Sequence, residues 1–143
     1  MAGVLATQMA SFRTLLAASP SLSATPEGHS LDAPPNTDRT YFAVVLDPAA
    51  SQMGAEHGGG ALVEYERVVT VKLSHFKDVD EETFGDAVAD DLENIDAVML
   101  KDSNKTSGVV IVTKESESSD DRGSWLRTDL RYRVRFRVAQ TLT

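Results

Sequence analysis

Apolar residues recur along this chain at two periods, and the switches between them mark the elements. Leu5, Met9, Phe12 and Leu16 fall four, three and four apart, the stripe of an amphipathic helix. Ser19-Pro20 closes it, because a residue before proline avoids the α region. Residues 19–38 are rich in Ser, Pro and Gly and read as a long loop. Arg39–Leu46 is β-branched and aromatic, almost wholly apolar in its middle, and predicts a central strand. Asp47–Gly60 ends in Gly58, Gly59 and Gly60 and reads as a flexible loop. Leu62–Leu73 then alternates, with Val63, Tyr65, Val69, Val71 and Leu73 on one side and Glu64, Glu66, Thr70 and Lys72 on the other. Arg67 interrupts the first face and Val68 the second.

Asp80 predicts a helix N-cap, with Glu81 and Glu82 at the positive end of the dipole. Phe84, Val88, Leu92, Ile95 and Met99 follow at spacings of four, four, three and four, and Glu82, Asp86, Asp90 and Glu93 occupy the opposite face. Val109–Thr113 predicts a short strand and 114–124 a polar hairpin loop. In Trp125–Val138, Leu130, Tyr132, Val134, Phe136 and Val138 face one way, and Arg131, Arg133, Arg135 and Arg137 the other. The order α-β-β-α-β-β predicts an α+β fold in a single domain over 1–143: a mostly antiparallel four-stranded sheet with two helices packed on one face. The two alternating strands, roughly 40 to 46 Å long at about 3.3 Å per residue, overrun a core of this size, so their ends call for another surface.

Composition narrows the chemistry. The 143 residues are 41% hydrophobic and 25% charged, enough apolar side chain for a core without staples. Absence of cysteine removes disulfides, thiol nucleophiles, Cys-zinc sites and iron–sulfur ligation. No apolar run approaches the roughly 20 residues that cross a bilayer. The N-terminus has no basic region followed by a continuous apolar stretch, so the expectation is a cytosolic product made without processing and without membrane association. With 22 acids against 14 bases the net charge is −8, which opposes bulk attraction to nucleic acid.

That charge is unevenly placed. Residues 78–102 hold ten acids and one base, Lys101, and sum to −9; residues 127–137 hold five arginines and one acid and sum to +4. Four arginines in one row repel unless acids approach them. The candidates are Glu64 and Glu66 within the subunit, and the helix face Glu82, Asp86, Asp90 and Glu93 of a neighbour.

No catalytic constellation emerges. His29, His57 and His75 sit at no metal-ligand spacing and read as surface histidines. Asp78–Glu82 lacks the glycine and terminal glutamate of a calcium loop, and Gly58–Gly60 lacks the Lys-Ser/Thr of a phosphate loop. No Gly-x-Ser-x-Gly elbow occurs. Tyr132 and Phe136 lie on the strand face opposite the arginines, which argues against a base-stacking platform. The expectation is no enzyme, no cofactor and no metal.

An N-terminal helix, a Pro-rich loop, an apolar strand, a glycine-rich excursion, a long strand, an acidic helix and a last hairpin ending in LRYRVRFRVAQTLT together resemble the tail terminator proteins of long-tailed bacteriophages, also called tail-completion or tail-to-head joining proteins. The resemblance covers the whole chain in architecture and size, and the 19–38 loop is longer than that family needs. It implies a structural virion protein: a hexameric ring at the head–tail junction, made in the host cytoplasm, which ends tail-tube polymerisation and offers a surface to the head's neck protein. DNA passes through such a ring without specific binding. The family's loops tend to face tube or neck, which gives 47–60 and 114–124 an interface role. A small cellular adaptor or binding domain, or another neck or minor tail protein, would carry the same features.

Overall fold

In the computed structural model, residues 3–25, 31, 34, 40–57, 62–77 and 80–139 are described, with the backbone alone for 48–57, 62 and 139. The elements run α1 (Val4–Ala17), β1 (Leu22–Ala24), β2 (Thr40–His57), β3 (Leu62–Phe76), α2 (Glu81–Leu100), a 3-10 turn (Asp102–Asn104), β4 (Val109–Arg122) and β5 (Trp125–Ala139). They form an α+β fold with one five-stranded mixed sheet in the order β1-β2-β3-β5-β4. Among the described residues only the β1–β2 pair is parallel.

Both alternating strands form as their patterns dictate, and β3 and β5 pair in register from Leu62↔Ala139 to Phe76↔Trp125. Their inward residues Val69, Val71, Leu73, Leu130, Tyr132 and Val134 are buried with Phe42 and Val44 of β2. Met9, Phe12 and Leu16 of α1, and Ile95 and Met99 of α2, pack on that same face. Asp80 caps α2 by accepting from the Thr83 amide at 3.0 Å.

Four readings need correction. The sheet has five strands, because Leu22–Ala24, inside the stretch read as loop, pairs with Thr40–Phe42. Asp47–His57, read as a flexible loop, continues β2. Its Pro48 and the neighbouring small residues are absorbed where the register jumps between Asp47 and Gln52, and pairing with β3 resumes beyond. Gly58, Gly59 and Gly60 lie outside the described residues. The polar stretch 114–122, read as hairpin loop, is the outer half of β4 and pairs with β5 as far as Arg122↔Trp125. It is an edge strand with little to bury, so no apolar alternation announced it. The turn itself is only Gly123-Ser124, with Gly123 at φ +72°, where a side chain would be strained. Finally, the buried line of α2 is Asp91, Ile95 and Met99. Phe84, Val88 and Leu92 are half-buried beside it.

Candidate functional site

The sheet face away from the helices carries the charged residues of β3 and β5. Glu64 lies across from Arg137 and Glu66 across from Arg135, and β4 adds Glu115 from the far side. Arg135 donates to Glu66 Oε1 through Nε at 3.2 Å and Nη2 at 2.8 Å. Arg133 reaches Glu66 Oε2 at 3.3 Å and Glu115 Oε1 at 2.9 Å. Glu64, buried to 8% exposure, is approached by Arg135 Nε at 3.1 Å and Arg137 Nε at 3.5 Å. Arg131 Nε stands 3.8 Å from Asp47 Oδ2. Hydrogen bonding from Arg135, helped by the charges of Arg135 and Arg133, holds the Glu66 carboxyl below its ordinary range against the opposing effect of burial.

The four arginines therefore meet four acids of their own subunit, Asp47, Glu64, Glu66 and Glu115, and the ladder is locally neutral. Of the acids proposed to approach the row, Glu64 and Glu66 are brought to it. Asp86, Asp90 and Glu93, expected to reach the row from a neighbouring copy, are exposed on α2, on the opposite layer of their own subunit. Glu115 and Asp47 were missed. Each sits in a stretch read as loop, so its facing toward the arginines had no periodicity to reveal it.

A second polar cluster sits within the helix layer. His75, read as a surface histidine, is instead buried at 3% exposure, at the end of β3. Its Nε2 lies 2.8 Å from Asp91 Oδ2, and the Ser21 hydroxyl donates to Asp91 Oδ1 at 2.7 Å. The strand alternation that buries Val71 and Leu73 extends to His75. Beside this cluster is a cavity of about 640 Å³ lined by Pro20, Ser21, Thr40, Ala87, Asp90, Asp91 and Asn94. The order of groups is serine, carboxylate, histidine. A nucleophilic triad needs the histidine between the other two, so the serine here has no base to activate it. The cluster ties the turn after α1, the end of β3 and the middle of α2 together. Gln8 does similar work elsewhere: fully buried in α1, it donates to the Asn104 carbonyl at 3.0 Å and accepts from the Thr106 amide at 2.7 Å. Among the described residues no cluster of three His, Asp or Glu side chains is spaced to hold a metal, and no helix is long and apolar enough to cross a membrane.

With this geometry the chain is similar to one chain of a solved structure described as "Virion of native gene transfer agent (GTA) particle". The likeness is end to end. It covers 96% of this chain and 100% of that one, with a TM-score of 0.59 at 16% identity. At that identity the shared property is the fold. No family model and no curated protein matches the sequence.

Proposed function

We propose that this chain is a structural protein of a phage-like virion, and within that class a tail terminator: a ring of six copies at the head–tail junction. The observation that carries the reading is the end-to-end fold likeness to a virion chain. The order of elements and the size agree with it, as does the sheet face that carries the charged residues and, among the described residues, no helix. On this reading the chain is no enzyme and holds no cofactor. It meets copies of itself, the tail tube protein and a neck protein, and α2's acidic face with Asp86, Asp90 and Glu93, the 58–60 glycines and the arginine ladder are the surfaces offered. A self-neutralised ladder or an acidic helix face gives passing DNA no net positive surface to grip. Another neck or minor tail protein would draw on the same fold likeness.

The test is a co-assembly. Tail tube protein from the same particle is polymerised with and without the chain, and tube lengths are measured by electron microscopy. A terminator shortens the length distribution and sits at one end of each tube. Tubes of unchanged length with bare ends would remove this role.

A further inference from the structure

The sheet ends in two unlike edges, and their open parts match. On the β2 side, β1 covers Thr40–Phe42, Thr25 donates to the Phe42 carbonyl, and Arg13 donates to the Val44 carbonyl at 2.8 Å. Past Val44 no described residue pairs with that edge of β2. On the other side β4 is the terminal strand, with register jumps between Val109 and Ile111 and between Lys114 and Ser116, and Lys105 Nζ donates to the Val110 carbonyl at 3.0 Å. Its first half, Val109–Thr113, is the apolar half.

These two open stretches lie at one height. Asp47, Val68, Arg133 and Thr113 share a rung of the sheet, and Gln52, Glu66, Arg135 and Ile111 share another. Three large hydrophobic residues are exposed among those described, and two of them mark these edges: Leu46 at 39% on β2 and Ile111 at 44% on β4. The four long strands alternate in direction, so β4 runs antiparallel to β2. A level head-to-tail joint is therefore antiparallel, the arrangement whose hydrogen bonds are straight. A contact between two different surfaces repeats into a closed ring when its rotation closes. The residues at this height, Asp47–Ala55 and Val109–Thr113, carry one formal charge, that of Asp47, which stands 3.8 Å from Arg131 of its own subunit. Subunits of net charge −8 can meet there without opposing like charges.

We infer that the copies join edge to edge: the apolar half of β4, around Ile111, adds to the open stretch of β2 beyond Leu46 in the next copy and continues the sheet from subunit to subunit. This rests on the ring reading above and names its contact. The occupant is a second copy of this chain. The alternative, β4 against β4 in a two-fold dimer, would set two strands against each other that each carry four acids and two bases.

Ile111→Asp and Leu46→Asp each place a charge in the joint while altering an exposed side chain. Both variants should keep the wild-type circular dichroism and raise the concentration needed for assembly by about tenfold or more. Hydrogen exchange supplies a readout of the edge itself. Amides of Ile111–Lys114 should exchange slowly in the wild-type assembly and fast in monomeric Ile111→Asp. A wild type that assembles while these amides exchange as fast as in the monomer overturns the edge joint and leaves the ring standing. A dimer that Ile111→Asp dissolves and Leu46→Asp does not overturns it in favour of β4 self-pairing. A wild type that remains monomeric at every concentration, with tubes present, overturns the ring and the joint together.

Discussion

Asp91 is the one buried acid of α2, and its removal gives the sharpest energetic test of how the helix layer is fixed. Its two oxygens are each used, one by Ser21 at 2.7 Å and one by His75 at 2.8 Å. In Asp91→Ala the serine hydroxyl can turn elsewhere, but the imidazole cannot, because His75 is 3% exposed and its Nδ1 already has no hydrogen-bond partner among the described residues. Hydrogen bonds to a charged group contribute about 1.5–3 kcal/mol each, and leaving a buried polar group unsatisfied costs about 1–3 kcal/mol. The expectation is a loss of about 3–4 kcal/mol, a large share of a typical 5–15 kcal/mol stability. Urea unfolding followed by circular dichroism measures it, with the slope checked for constancy. Asp90→Ala, one residue along and exposed, is the control and should leave the midpoint unchanged. A loss below about 1 kcal/mol for Asp91→Ala, the value of an exposed pair, would show that water reaches the cluster and refute the reasoning.

Ile95→Ala, at a fully buried position, should cost about 2–5 kcal/mol by the same assay, and Leu92→Ala, half-buried, clearly less. Gly85→Ala should stabilise by about 0.5–1 kcal/mol, because an added Cβ in the second turn of α2 meets nothing within 4 Å and removes backbone entropy. Gly108→Ala should destabilise, since its φ of +90° strains a side chain and its Cβ would lie 3.0 Å from Val4 and 3.2 Å from the Arg137 carbonyl; thermal unfolding reads both glycine variants. The Glu66 carboxyl is held below its ordinary value of 4.5 by Arg135 and Arg133. Its contribution is therefore fully present above that pH and lost as pH falls through the lower folded-state value. Wild type should lose stability more steeply than Glu66→Gln below about pH 4.5, and parallel acid titrations of the two would remove the ladder's role.

Where periodicity was sustained, the chain was legible. The α1 stripe, the register faces of β3 and β5, and the opposition of Glu64 and Glu66 to the arginines all follow from periodicity over a dozen or more residues. The misreadings share a cause: structure maintained by a neighbour's backbone with no periodicity of its own. Residues 114–122 are strand because β5 beside them offers a full ladder, and their exposed polar side chains carry no imprint of it. Asp47–His57 are strand because β3 runs alongside, with Pro48 accommodated at a register jump. β1 is three residues long, too short for any pattern. His75 was missed by ending β3 at Leu73, since two more steps of the same alternation place it inside. The buried line of α2 runs through Asp91 because that carboxylate has His75 and Ser21 to satisfy it, a pairing between residues 16 and 70 positions apart.

The ring is the central claim, and native mass spectrometry of the purified chain, alone and with tail tubes, tests it most directly. Six copies of a 15.5 kDa chain predict a particle of about 93 kDa, with a central opening when the same sample is imaged by electron microscopy. Monomers or dimers alone, at every concentration and in the presence of tubes, would contradict it.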